Sequence, residues 1–379
     1  MKFKNFSSIG FGMYRGEESD RADEEWFESL YYGLQNGINV VDTAQKYRNG
    51  RSEKVIGNVL DKLFYEKDKT REDFFITTKA GLLSEKILSS NILKKIGIDE
   101  SSINFDQKFC LEPEYIDWSV ERALENLNLK YIDSFLLHNP EILFHFDNGN
   151  EKLFECFKIL EKKCEQGKIK SYGLASWNGF RRKPESRYYI DLVSILEQNR
   201  NRLGQGNHLK IIEAPLSIGM PSILKYISKN ENNFSFQDII KKYDLVFFSS
   251  ASLYEGHINE LFELNKIFSY AFDVDSPNED SAAKVSFPLS ENSLVQLFEL
   301  LSSLKKNKIN IYEELNKINP SNINIFSKAL DIVRSTQFVS SALVGMEKIE
   351  FVKDNIKILK SPFLNNKVIE KHWSMSLTT

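Results

Sequence analysis

Little in this chain ties it to an oxidising compartment, a bilayer or a polyanion. Its 379 residues include three cysteines, Cys110, Cys156 and Cys164. An odd count, with no CxxC pair and no Cys/His cluster at zinc spacing, excludes a disulfide framework and a zinc module. No apolar run approaches the ~18 residues that a membrane-spanning helix needs. The opening MKFKNFSSIG has two lysines but no long apolar core and no small-residue cleavage site, so no secretory leader is expected. A net charge of −3 gives no field to hold nucleic acid or an anionic membrane. No fixed period marks a repeat protein. These absences leave a cytoplasmic protein with free thiols and no nucleic-acid or membrane partner. Its 41% hydrophobic and 27% charged residues are ample for a large core.

What the chain does have is an alternation of short β-branched or aromatic runs with longer stretches at helical spacing. Strands are expected at 6–12, 39–42, 74–79, 132–138, 170–176, 211–216, 245–252 and 339–345. Helices are expected at 24–35, 52–64 with Ser52 as N-cap, 113–127, 151–166, 187–199, 236–242, 293–304, 323–335 and 351–359. Eight strand–helix units argue for a parallel sheet, and at this length for one closed α/β barrel, a (β/α)8 TIM barrel over residues 1–379. Two stretches interrupt the rhythm: 81–112 after strand three and 257–325 after strand seven, both read as enlarged loops. An open dinucleotide-binding sheet is the alternative. It would want GxGxxG, but Gly10-Phe11-Gly12 lacks the third glycine and no acidic residue follows at the right offset.

Functional groups of such a barrel sit at the C-terminal ends of its strands. Asp42 ends strand two, with Tyr47 on the loop beyond; Lys79 ends strand three and His138 ends strand four. Neighbouring strands are ~4.8 Å apart, so these ends can converge. A lysine ammonium beside a phenol favours the phenolate, and a carboxylate keeps that lysine charged and oriented. A neutral histidine can donate to a polarised carbonyl. The set suits acid catalysis on an aldehyde or ketone, with Tyr47 giving a proton to oxygen as hydride adds to carbon. Each residue alone has a plainer reading. Asp42 could be a turn former, Lys79 a surface lysine, His138 a partner for the turn before Pro140, and Tyr47 a packed aromatic.

Several stretches also resemble the aldo-keto reductase family: GINVVDTAQKYRNGRSEKVIG, FFITTKA, YIDSFLLHNPE, GKIKSYGLASWNGF and ALVGMEKIEFVKDN, in order across roughly residues 6–358. The resemblance implies a barrel that moves hydride between NADP(H) and a small carbonyl or alcohol, with NAD(H) not excluded. It implies Tyr47 as general acid, Lys79 and Asp42 as its tuners, and His138 as the residue that orients the carbonyl. It also implies a cofactor set of Met13, Asp42, Ser176, Glu213, Ser250, Ser252, Leu253, Gly345, Lys348, Asp354 and Asn355. Tyr14, Tyr47, His138, Trp177 and Tyr254 would line the substrate side.

The chain departs from the family pattern where the nicotinamide should sit. Ala175-Ser176 stands for the usual Ser-Asn, Glu213 for a glutamine, Ser250 for a stacking tyrosine, and Phe351 for an arginine. An ionised Glu213 accepts hydrogen bonds but cannot donate them, and losing the arginine removes a bidentate phosphate donor. These changes motivate a second reading, a nicotinamide-binding sensor or accessory subunit with little turnover. A third is a hydrolase using Asp42 and Glu213 as paired carboxylates. The acidic cluster Asp273, Asp275, Glu279 and Asp280 does not match a calcium-loop spacing and reads as a solvated loop.

Overall fold

Strand side chains alternate between two faces, so a strand with one face in a barrel lumen and the other under a helix must be apolar on both. The eight strands of this chain largely meet that demand, except for charged and polar residues towards their C-terminal ends and a few buried hydroxyls. The structure, a computed structural model, describes residues 5–67, 69–146, 148–229, 233–253, 315–317 and 324–377. Strands β1 (Ile9–Gly12), β2 (Val40–Asp42), β3 (Phe75–Ala80), β4 (Ser134–His138), β5 (Tyr172–Ala175), β6 (Leu209–Pro215), β7 (Val246–Ser250) and β8 (Ser341–Val344) close into a parallel barrel in chain order. β8 returns to pair with β1.

The outward residues, among them Phe11, Val41, Ile76, Leu137, Leu174, Ile212, Phe247 and Val344, join the main core with the surrounding helices. The inward residues Val40, Phe75, Leu136, Ala175, Ile211, Val246, Phe248 and Leu343 form a separate apolar plug. Phe6 closes its lower end, edge-on to Phe75 and Phe248 at 5.0 and 5.4 Å. This parity decides where chemistry can occur. Two residues beyond Val40, Leu136, Ile211 and Phe248, the same inward face carries Asp42, His138, Glu213 and Ser250, and four beyond Phe75 it carries Lys79.

The helices follow the spacing read from sequence, with shifts that caps explain. Helix α1 (Asp20–Gln35) starts a turn earlier than expected, because the Ser19 hydroxyl accepts from Ala22 N and two aspartates fall in the first turn. Helix α2 (Arg51–Tyr65) is preceded by Gly50 at φ 84°, so Ser52 is not its N-cap. The Ser52 hydroxyl instead donates to the Met13 carbonyl at 2.8 Å. Helices α3 (Pro113–Leu127), α4 (Gly149–Glu165), α5 (Leu192–Leu203) and α6 (Phe236–Lys242) follow. α5 begins at Leu192, five residues past the expected start, because Asp191 caps it through Ser194 N. Beyond β7 come α7 (Ile325–Arg334), α8 (Ile349–Leu359) and an unforeseen α9 (Asn366–Leu377). α9 is tied down where Trp373 Nε1 donates to the Thr336 hydroxyl at 3.0 Å.

The enlarged loop after β3 is closed at its base. Leu83 N donates to Lys108 O at 2.6 Å and Cys110 N to Gly81 O at 2.8 Å. Two single-turn helices, Glu85–Leu88 and Ile92–Lys95, lie within it. Tyr254, the acidic cluster 273–280, the helix expected at 293–304 and nearly all of the loop expected at 257–325 fall outside the described residues. Among the described residues no helix is long and apolar enough to cross a membrane, and no His/Cys/Asp/Glu cluster is placed to hold a metal ion.

Candidate active site

β2 and β3 lie side by side with Asp42 opposite Thr77, so Lys79 reaches one pleat further towards the mouth than Asp42. Its side chain turns back to meet the carboxylate. Lys79 Nζ donates to Asp42 at 2.5 Å and to the Thr43 carbonyl at 3.0 Å. From the opposite side of the lumen Glu213 brings Oε2 to 3.4 Å from the same nitrogen. All three side chains are buried. Burial opposes the Lys79 charge, but the carboxylates of Asp42 and Glu213 outweigh it and hold the ammonium above its ordinary range. Asp42 is also pushed well up, by burial and then by the like charge of Glu213, against the pull of Lys79. Both shifts have one meaning: two carboxylates around one ammonium hold protons tightly. Two carboxylates spent on a shared lysine do not flank a scissile bond, which speaks against the hydrolase reading.

Tyr47 is placed by backbone. Beyond Asp42 the chain stays paired to β3, with Thr43 N on Thr77 O at 2.9 Å and Gln45 N on Lys79 O at 3.1 Å. Arg48 and Asn49 then take left-handed φ values of 51° and 53°, a conformation that costs ordinary side chains energy and persists only where neighbours enforce it. The enforcing group is the Arg48 guanidinium. It is buried against Asp23, the Glu17 carbonyl at 2.8 Å and the Ser19 carbonyl at 3.3 Å. The Tyr47 ring stands edge-on to His138, centroids 5.9 Å apart, and Lys79 Nζ lies 5.3 Å from its centroid.

The expected lysine–phenol hydrogen bond is not among those of the described residues, because the lysine protons go to Asp42 and Thr43. The net effect on the phenol is also opposite to expectation. Burial raises Tyr47 well above the usual range, and the ammonium only partly offsets this, since Asp42 and Glu213 add to the rise. His138 is pushed well below the ordinary imidazole range by burial and by the positive charges of Lys79 and Lys46, and so is neutral near pH 7. Its Nδ1 is buried without a hydrogen-bond partner.

The remaining candidates divide into rim, wall and far end. Tyr14 is exposed and packs edge-on to Tyr47 at 5.2 Å. Trp177 stands under the Arg181 guanidinium, 5.7 Å from the ring centroid. The Met13 side chain lies in the main core, and only its backbone faces Asp42 and Ser52. Ser176 donates to Glu141 at 2.9 Å and accepts from Gly179 N at 2.8 Å. The Ser252 hydroxyl is paired with Ser249. At the far end, Gly345 lies against the Arg15 side chain, Lys348 is exposed just before α8, and Asn355 is buried. Asp354 is held by Lys357 at 2.8 Å and Asn324 at 3.2 Å. Phe351 sits inside α8 with its ring exposed. Ser250, Leu253 and Trp177 are half-buried.

The sequence matches the Aldo/keto reductase family over residues 8–185, which takes in Asp42, Tyr47, Lys79, His138, Ser176 and Trp177. The chain is similar in sequence to several NAD(P)H- or NADH-dependent reductases and in fold to solved aldo-keto reductases. The NAD(P)H-dependent D-xylose reductase I,II of Candida tropicalis is 27% identical over 190 residues, covering 45% of this chain and 48% of that protein. The NADH-specific methylglyoxal reductase of Escherichia coli is 30% identical over 140 residues, 37% of each chain. The chain thus spans about half or less of the length of these curated relatives. The structure of a glycerol dehydrogenase from Gluconobacter oxydans superposes with a TM-score of 0.59 at 20% identity, covering 97% of this chain and 88% of that one. The likeness to solved structures covers the whole barrel and shows its fold, while the family match in sequence stops before Glu213, Ser250 and the β8–α8 segment.

Two residues escaped the sequence reading. Glu141 is almost fully buried, binds Ser176 and the Asn178 backbone N at 2.7 Å, and is pushed up by burial. An acid straight after a proline past a strand end was the available signal. Arg48 had none, since a basic residue beside a tyrosine reads as surface until the left-handed turn is seen.

Proposed function

We infer that this chain is an NAD(P)H-dependent oxidoreductase that reduces an aldehyde or ketone to an alcohol, or runs the reverse. The observation that carries this is the meeting of Asp42, Tyr47, Lys79 and His138 on the inward face of the barrel mouth. A bound reduced nicotinamide supplies the hydride. The chain has to supply a proton and hold the carbonyl.

Tyr47 keeps its proton at neutral pH because burial disfavours the phenolate. That suits a donor that should release it only to a stronger base. Hydride addition makes the carbonyl oxygen an alkoxide, far more basic than any phenol, so transfer from the Tyr47 hydroxyl is downhill at that moment. Neutral His138, with Nδ1 uncommitted, can donate to the same oxygen and fix its position. Lys79, pinned by Asp42, places positive charge near the Tyr47 ring and limits the cost of negative charge there as the proton leaves.

The residues present fit a nicotinamide carboxamide in part. Ser176 has a lone pair to spare beyond Glu141 and Gly179, and Glu213 Oε2 is buried without a hydrogen-bond partner, so both suit an amide NH2. Ser250, Ser252 and Leu253 would flank the ring, and Met13 would meet it by backbone. Gly345, Lys348, Asp354 and Asn355 would take the adenosine end, with Lys348 at a helix start where a 2′-phosphate is favoured. NADP(H) is the cofactor this supports, with NAD(H) second because Phe351 offers no charge. Tyr14 and Trp177 would bound the substrate.

The test is oxidation of NADPH and of NADH with a panel of aldehydes and ketones, for the wild type and Tyr47→Phe. A general acid of this kind contributes roughly 100-fold to 10,000-fold, so the variant should lose at least 100-fold in kcat with little change in cofactor affinity. A wild type no faster than the variant on every carbonyl would leave the binding-only reading in its place.

A further inference from the structure

Lys46 stands immediately before Tyr47 and takes no part in the proton transfer. Its place is fixed from both sides. Gln45 turns under α3, where its Oε1 accepts from the Tyr115 and Ser119 hydroxyls at 3.0 and 3.2 Å. Lys46 then opens the turn Tyr47–Gly50, its carbonyl accepting from Asn49 N at 3.2 Å. The side chain is half-buried, and its positive charge is one of the causes that keep His138 neutral. Lys46 thus lies at the mouth, beside the two groups that would hold the carbonyl oxygen.

What sets it apart is the lack of a partner. Lys79 is shared by Asp42 and Glu213, Arg48 is held by Asp23, and Lys108, at the base of the loop after β3, is held by Glu85. Among the described residues the Lys46 ammonium has no hydrogen bond and no ion pair. Burial and the Lys108 charge hold Lys46 below the ordinary ammonium range, and Glu85, already spent on Lys108, offsets them only in part. The Asp42–Lys79–Glu213 group does not make up the difference. Its carboxylates hold a proton between them as well as the ammonium, which leaves the group close to neutral. The mouth therefore carries a half-buried cation that an arriving anion would satisfy.

An oxoanion suits it, because three ammonium protons can donate charge-assisted bonds to carboxylate or phosphate oxygens. Consecutive Cα atoms are about 3.8 Å apart, so a carbonyl compound seated at Tyr47 and His138 brings its nearby substituents towards Lys46. We propose that Lys46 is a specificity-determining residue that selects aldehydes or ketones bearing an oxoanion, a carboxylate or a phosphate, close to the reacting carbonyl. This rests on the oxidoreductase reading and names the substrate class of that same site.

The experiment measures initial rates at pH 7 with saturating NADPH on matched probes that share a carbonyl. These are glyceraldehyde 3-phosphate against glyceraldehyde, and 4-carboxybenzaldehyde against its methyl ester. The proteins compared are the wild type, Lys46→Met and Lys46→Arg. A charge-assisted bond to a half-buried ammonium is worth about tenfold. The wild type should favour the anionic member of at least one pair by about tenfold in kcat/KM, and the pair that responds tells phosphate from carboxylate. Lys46→Met should remove that preference, chiefly through KM, and Lys46→Arg should keep it. A wild type that takes both members of each pair equally, or prefers the neutral ones, overturns the proposal without any variant having to fold, and leaves the oxidoreductase reading standing. A Lys46→Met variant that keeps the anionic preference also overturns it. So does one whose affinity for NADPH, measured without carbonyl, falls as far as its preference, since Lys46 would then belong to a cofactor phosphate. A wild type that turns over none of the probes sinks the oxidoreductase reading and this proposal with it.

Discussion

Glu53 lies on α2 under the barrel wall, wholly buried, one strand position from the candidate site. Its Oε1 accepts from the Thr78 hydroxyl at 2.7 Å and its Oε2 from Asn126 Nδ2 at 2.8 Å. Burial pushes its carboxyl from an ordinary 4.5 up to about 7, against the pull of those two hydrogen bonds and of Arg122. The consequence for stability has a definite sign. Below pH 4.5 the group is protonated both folded and unfolded, and nothing is lost. Between about 4.5 and 7 the unfolded chain releases its proton while the folded one retains it, so stability falls as pH rises. Above 7 the full cost is present, about 3 kcal/mol for a shift from 4.5 to about 7. Glu53→Gln removes the charge and keeps the shape, provided Asn126 turns its oxygen to the new NH2. Urea unfolding of both proteins at pH 5 and pH 8 isolates the effect, because every other carboxyl is common to the pair. The variant should exceed the wild type by less than about 1 kcal/mol at pH 5 and by about 3 kcal/mol at pH 8. A variant weaker than wild type by the same amount at both pH values would refute the reasoning, since it would mean that ionised Glu53 is fully satisfied where it lies.

Three further outcomes follow from named contacts. An ideal Cβ on Gly173 would stand 1.9 Å from the Ile211 carbonyl oxygen on the neighbouring strand, so Gly173→Ala must part β5 from β6; we expect a loss of roughly 3 kcal/mol or more in chemical unfolding. Arg48→Ala removes the clamp on Glu17, Ser19 and Asp23, and hydrogen exchange should then rise in segment 14–19 and around Tyr47 while the β3 and β4 amides stay protected. Lys79→Met leaves Asp42 and Glu213 facing each other without their ammonium. The variant should unfold at lower temperature at pH 8 than at pH 5, as breaking a buried pair typically costs about 3–5 kcal/mol while the partner stays charged.

The sequence showed the architecture because a barrel repeats one local decision eight times. Each apolar run is too short for a helix, several are β-branched or aromatic, and most intervening stretches have one apolar face. α3 and α6 match their expected ends because Pro113 and Ser235 are explicit start signals, the latter in a capping box with Asp238. The start of α2 was misplaced for a non-local reason. Ser52 looks like a cap in one dimension, yet its hydroxyl is taken by a carbonyl 39 residues earlier. α9 was missed because nothing before it signals a return to the barrel. Its anchor, Thr336 meeting Trp373, joins positions 37 apart.

The site was legible to the extent that one strand parity governs it. Asp42, Lys79, His138 and Glu213 sit on the inward face because the apolar residues two or four positions earlier do, so the alternation alone puts them in one place. Parity cannot say how three charged groups share their protons. The sequence suggests a lysine for the tyrosine; the folded chain gives that lysine to Asp42 and Thr43, and sets Glu213 against it from the far wall. Residues 42, 79 and 213 lie on strands that no local signal relates, so the number of charges per ammonium is a property of barrel closure. That number decides the electrostatics of the mouth. A glutamine at 213 would leave one balanced ion pair beneath the phenol. The glutamate present makes both the phenol and the Asp42 carboxyl hold their protons more firmly. The departure from the family pattern at this position thus reaches the proposed proton donor as well as the proposed cofactor contact, through a lysine that lies near both.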